Sequence, residues 1–118
     1  SEKYLKRAIN SVIYQKKKNI QIIIVNDKSN QKTQKICNFY EKKFKFVKLI
    51  NNNINKGVGT CRNLAINKSE GKFLIFLDSD DQLQKTSLKN LEFLLKKDNV
   101  SDFVIVRNKK STFRFSRY

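Results

Sequence analysis

Apolar positions change period several times along the chain. Over residues 3–15, Tyr4, Leu5, Ala8, Ile9, Val12 and Ile13 recur at helical spacing between basic residues, which predicts an amphipathic helix. Residues 20–25, Ile-Gln-Ile-Ile-Ile-Val, form a nearly continuous β-branched run and predict a strand buried on both faces. Asn26-Asp27-Lys28-Ser29-Asn30 is turn chemistry. Residues 32–43 predict a helix with Ile36, Phe39 and Tyr40 inward, and residues 46–50 a second strand.

A loop rich in Asn and Gly follows from Asn51 to Gly59, then a helix over 60–68 through Leu64, Ala65 and Ile66, stopped at Ser69-Glu70-Gly71 with Gly71 as its C-terminal cap. Residues 72–77 predict a third buried strand running straight into Asp78-Ser79-Asp80-Asp81. Residues 86–97 predict a helix with Leu88, Leu91, Leu94 and Leu95 on one face. A fourth strand is expected at 102–106, and residues 112–117 read as a short edge strand or a frayed tail. Alternating strand and helix specify an α/β domain with a mainly parallel sheet flanked by helices. Ligands bind such sheets beyond the carboxyl ends of the strands, so the turns at Asn26-Asp27 and Asp78–Asp81 are expected on one rim.

The chain of 118 residues is sized for a single domain, residues 1–118, burying roughly 65% of the surface its unfolded form exposes. No apolar run approaches the ~20 residues of a membrane span, and no apolar stretch behind the N-terminus reads as a secretory signal. The absence of His excludes a Ser-His-Asp triad, a His base and a His-ligated zinc. Cys37 and Cys61 suit two reduced thiols, with a single disulfide left open. The net charge of +16 creates a large positive field that would attract nucleic acid, an anionic membrane or phosphorylated small molecules. Lys outnumbers Arg 21 to 5, so compositional drift explains part of that charge, whereas base readers and phosphate clamps favour Arg.

The acidic residues are less easily assigned to drift. Asp78, Asp80 and Asp81 repel one another, and no Lys or Arg stands between Lys72 and Lys85 in sequence to neutralise them. A divalent cation would do so; at a strand end, alternation sends Asp78 and Asp80 to the same side. Mg²⁺ or Mn²⁺ would keep waters and take diphosphate oxygens as its other ligands. The alternative is an N-cap cluster for the Leu-rich helix, which explains one carboxylate better than three. In Asn55-Lys56-Gly57-Val58-Gly59-Thr60-Cys61-Arg62-Asn63, two glycines open a helix and let main-chain N–H groups approach an anion. The plain alternative is a flexible loop with a helical first turn.

Four blocks in order carry a family resemblance. They are Ser11-Val12 with Gln15, Ile22 to Ser29, Asn55-Lys56-Gly57 with Arg62-Asn63, and Gly71-Lys72-Phe73 with Phe76 to Asp81. Together they resemble family 2 glycosyltransferases over about residues 1–106. The resemblance implies a Rossmann-like, GT-A-type fold and transfer of a sugar from a nucleotide-diphosphate-sugar donor to a glycan or lipid-linked acceptor in polysaccharide biosynthesis. It implies that Asp27 contacts the base and that Lys56 and Arg62 lie near the nucleotide. It places Asp78 by the ribose or diphosphate and Asp80 on Mn²⁺ or Mg²⁺, as a pair sharing the metal. It also implies a cytoplasmic, membrane-proximal enzyme, peripheral on the inner face. The basic runs Lys16-Lys17-Lys18 and Lys42-Lys43 are candidate contacts to anionic lipid, the plain alternative being a solvated charged face.

Two departures qualify that expectation. Lys28 stands where the family usually has Gly. The family's first strand and its acceptor-activating base have no counterpart here, so the chain reads as the donor-binding part of a larger domain, inactive alone. Two alternatives come from other classes. A basic nucleic-acid-binding module needs aromatics among basic residues, and only Phe113-Arg114-Phe115 with Arg117 and Tyr118 offers them. A nucleotidyltransferase making nucleotide sugars would open with a Gly-rich loop that is missing here. Nucleic acid is accordingly not the expected partner.

Overall fold

A computed structural model describes residues 2–17, 20–71, 73–97, 103–107 and 112–117. Its elements run α1 (Glu2–Ile13), β1 (Ile22–Asn26), α2 (Gln31–Lys43), β2 (Val47–Asn51), α3 (Val58–Lys68), β3 (Phe73–Ile75), α4 (Ser87–Lys97), β4 (Phe103–Arg107) and β5 (Thr112–Arg117). The chain divides into two compact units. One is drawn from residues 3–18 and 72–118, the other from residues 19–71 with Glu2.

The unit of residues 19–71 is a β-α-β crossover followed by a helix. β1 and β2 pair in parallel from Ile22↔Val47 to Asn26↔Asn51. One further ladder bond, from Asn52 N to Asn26 O at 2.9 Å, continues past the strand ends. α2 packs on both strands and α3 on β1. Asn30 caps α2 by accepting from Thr33 N at 2.9 Å, and Lys42 and Lys43 complement the dipole in its last turn. Glu41 of α2 accepts the Leu49 N–H at 2.6 Å, which satisfies a β2 donor that the parallel pair leaves over.

Three expectations change in this unit. Ile22–Val25 are half-buried rather than enclosed, because β2 is the one described strand that pairs with β1. The inward face of α2 is Ile36, Cys37 and Tyr40, while Phe39 is 55% exposed. At 100° per residue Phe39 lies off the Ile36–Tyr40 line on the side away from Cys37. It instead meets the Tyr40 ring edge-on, centroids 5.3 Å apart. α3 is capped by Ser69, not Gly71: its N–H and hydroxyl both donate to Ile66 O, at 3.2 and 2.8 Å. Cys37 and Cys61 are both free thiols.

In the other unit, β3, β5 and β4 form an antiparallel sheet in that order. Residues 112–117 are therefore its central strand, not an edge or a tail. Residue 102, at the start of the expected fourth strand, and Tyr118 lie outside the described residues. Leu83 and Leu91 are buried together, with Val12, Ile75, Leu77 and Leu88 packed against them. That confirms the Leu88–Leu91 face of α4; the side chains of Leu94 and Leu95 lie outside what is described. β3 ends at Ile75, so Phe76 and Leu77 lead to the acidic turn in irregular backbone.

Candidate functional site

In the unit of residues 19–71, polar chemistry gathers at the carboxyl ends of the parallel pair. Asn26 is buried and fully engaged. Its Nδ2 donates to Gln34 Oε1 and, at 3.2 Å, to Asn51 Oδ1, while its Oδ1 accepts from the Ser29 N–H at 3.1 Å and from the Ser29 hydroxyl. This network fixes the turn that presents Asp27. Lys28 completes the turn with φ 55°, the left-handed conformation that glycine adopts without a Cβ penalty.

Asp27 grips the loop before α3. Its Oδ1 accepts from Lys56 N at 2.7 Å and Asn52 Nδ2 at 3.0 Å, and its Oδ2 accepts from Gly57 N at 3.0 Å. The Asn52 amide first, then the Lys56 N–H, hold the carboxyl below the usual aspartate range. The helix N-terminus expected to meet an anion therefore has one in this chain's own Asp27. Gly57 caps α3 at φ 86°, ψ 165°, a region only glycine occupies at low cost. The Cys61 sulfur accepts from Asn52 Nδ2 at 3.5 Å, and the thiol's pKa is raised, chiefly by burial and next by the Asp27 charge. With Asn52, Lys56 and Gly57 on it, Asp27 has three donors for about four acceptor positions. Lys56 joins it through its main chain, with its side chain exposed; Arg62 is exposed on α3, one residue past Cys61. Asn52 is a site residue that sequence reasoning missed, concealed among the asparagines of residues 51–55.

In the other unit, Asp78, Asp80 and Asp81 bring carboxylate oxygens within 4.8 Å of one another. A tight turn does this, closed by Asp81 N donating to Asp78 O at 3.0 Å. Strand alternation, the reason expected from the sequence, does not apply, because β3 has ended by then. The N-cap alternative fails as well, since α4 begins only at Ser87. Three hard oxygen donors in one turn suit a divalent cation such as Mg²⁺ or Mn²⁺. A basic neighbour missed in sequence is Arg7, whose guanidinium donates to the Asp80 main-chain O at 3.2 Å. The two clusters lie in different units.

The family model described as "Glycosyl transferase family 2" matches residues 1–118. The chain belongs to glycosyl transferase family 2. An uncharacterized glycosyltransferase of Haemophilus influenzae is 38% identical over 96 residues, 80% of this chain and 38% of that protein. The minor teichoic acid biosynthesis protein GgaB of Bacillus subtilis is 36% identical over 108 residues, 89% of this chain and 12% of that protein. The crystal structure of Staphylococcus aureus TarS, residues 1–349, matches with TM-score 0.82 and 31% identity, over 92% of this chain and 32% of that one. The chain thus spans well under half the length of these relatives. The α/β, GT-A-type fold expected from the family 2 resemblance is the fold it takes. No helix among the described residues is long and apolar enough to cross a membrane.

Proposed function

We propose that these residues are the donor-binding part of a single GT-A-type domain, and that the protein carrying them transfers a sugar from a nucleotide-diphosphate sugar. The observation that carries this reading is the carboxylate turn at Asp78, Asp80 and Asp81, oxygens within 4.8 Å, in a chain of glycosyl transferase family 2. Asp80 holds Mn²⁺ or Mg²⁺ with Asp78 beside it. When bound, the cation offsets charge on the donor diphosphate, the leaving group. The acceptor oxygen bonds to the anomeric carbon, that carbon's bond to the diphosphate oxygen breaks with its electron pair on the nucleotide diphosphate, and the hydroxyl proton passes to the acceptor-activating base. Asp27 takes a base N–H at the acceptor position that its three donors leave over. Lys56 and Arg62 supply positive charge near the nucleotide. The acceptor-activating base is assigned to none of these residues.

The acceptor is a glycan or lipid-linked chain in polysaccharide biosynthesis. Two relatives support this by name: GgaB, and TarS as a poly(ribitol-phosphate) beta-N-acetylglucosaminyltransferase. A net charge of +16 suits a phosphate-rich polymer or an anionic leaflet in a cytoplasmic, membrane-peripheral enzyme. Of the lysines expected at lipid, Lys42 and Lys43 are exposed, Lys17 pairs with Glu92, and Lys18 lies outside the described residues. The test is nucleotide binding by the full-length protein with Mn²⁺ and with chelator. Asp80→Ala should lose the Mn²⁺-dependent part; equal affinity in wild type, variant and chelator would overturn the reading.

A further inference from the structure

Arg7 and Ser11 of α1, with Gln15 in the turn after it, stand at four-residue intervals and so share one face. All three bond to the main chain of one segment. Arg7 donates to Asp80 O at 3.2 Å. The Ser11 hydroxyl accepts from Leu83 N at 2.9 Å and donates back to Ala8 O at 2.7 Å. Gln15 Nε2 donates to Gln84 O at 2.6 Å and to Ser11 O at 3.1 Å, and its Oε1 accepts from Leu88 N at 3.4 Å.

The segment needs such partners. Residues 81–84 lie in neither helix nor strand; turn bonds engage Asp81 N and Gln84 O, and no ladder satisfies their other N–H and C=O groups. It also follows three carboxylates whose mutual repulsion favours opening the turn. We propose that Arg7, Ser11 and Gln15 are positioning residues that hold the Asp78–Asp81 turn in its cation-binding geometry. The inference rests on the reading of this turn as the cation and diphosphate site.

Two measurements on the full-length protein separate the inference from that reading. The first titrates Mn²⁺ alone and reads free Mn²⁺ by electron paramagnetic resonance. Arg7→Ala, Ser11→Ala and Gln15→Ala should each weaken binding about two- to tenfold, the worth of one hydrogen bond. Ser11→Thr, which keeps the hydroxyl, should restore it. Ile36→Ala, a core truncation in the other unit, should lower Tm and leave the Mn²⁺ affinity unchanged. The second measurement is amide exchange. Ser11→Ala should speed exchange at Leu83, and Gln15→Ala at Leu88. If wild type binds Mn²⁺ and all three alanine variants bind it equally well, the positioning role is wrong while the cation reading stands. If wild type binds no Mn²⁺, the cation reading falls and the positioning role falls with it; the exchange data then report only whether α1 orders the segment.

Discussion

The Asp27 carboxylate accepts the main-chain N–H of Gly57 at 3.0 Å, across thirty residues of sequence, and thereby ties the end of β1 to the start of α3. A charged acceptor makes stronger bonds to N–H groups than a neutral one. Protonating Asp27, or replacing it with Asn, should therefore loosen the loop. Its folded pKa is depressed, so the anchoring is complete above the ordinary aspartate range and is lost as pH falls through the folded value. The amide shifts of Lys56 and Gly57 should hold constant on acidification to pH ~4 and move only below it. In Asp27→Asn the same amides should sit at new positions that do not titrate.

Gly57 and Gly59 should respond oppositely to alanine. Neither meets another atom within 4 Å of an added Cβ, so packing does not decide the outcome. Gly57 sits at φ 86°, where a side chain strains the backbone, and Gly57→Ala should cost about 1–3 kcal/mol. Gly59 lies inside α3, where alanine is the better helix former, and Gly59→Ala should gain up to about 1 kcal/mol. Urea unfolding of the two variants reads both signs in one experiment.

Lys28 offers a stabilising change that touches no contact. At φ 55° it holds the left-handed conformation against a Cβ penalty, partly offset by lysine's smaller backbone entropy loss on folding. Lys28→Gly should stabilise by about 0.5–1 kcal/mol, seen as a higher urea midpoint at unchanged m-value. A destabilised variant would mean that the lysine side chain contributes more than its backbone costs.

The two thiols differ in what shields them. Cys37 is 1% exposed in the α2 face, and burial raises its pKa. Cys61 is half-buried, and the Asp27 charge adds to burial in suppressing its thiolate. Iodoacetamide should therefore modify Cys61 before Cys37 in the native protein. Asp27→Asn should speed the Cys61 reaction and leave Cys37 unchanged.

Elements with one clear period were legible in the sequence. α1, α2 and the parallel strands followed from apolar spacing, and the acidic turn stood out because three like charges in four residues need a reason. The mechanism behind that turn was not legible. A strand that stops at Ile75 instead of continuing to Leu77 replaces alternation with a tight turn, and no local residue marks the stop. Pairings distant in sequence were also concealed. Asn52 resembled its neighbouring loop asparagines, and Arg7 resembled the other basic residues of α1. Only the folded chain brings the first to Asp27 and the second to Asp80. Phe39 was misplaced because an aromatic in a helical pattern reads as core, whereas small Cys37 took the inward position.

That exposed Phe39 gives the membrane reading its sharpest test. Lys43 Nζ stands 5.4 Å from the Phe39 ring centroid and 5.6 Å from that of Phe44, so basic and aromatic groups share the end of α2. At an anionic leaflet each Lys near the surface contributes about 1 kcal/mol, and the ring adds apolar burial that salt does not screen. Sedimentation of the full-length protein with vesicles should rise with anionic lipid content and fall with salt. Lys42→Glu with Lys43→Glu should reverse the dependence on lipid charge, while Phe39→Ser should weaken binding at every salt concentration. Binding indifferent to lipid charge and salt would remove the leaflet from the partners proposed for this chain.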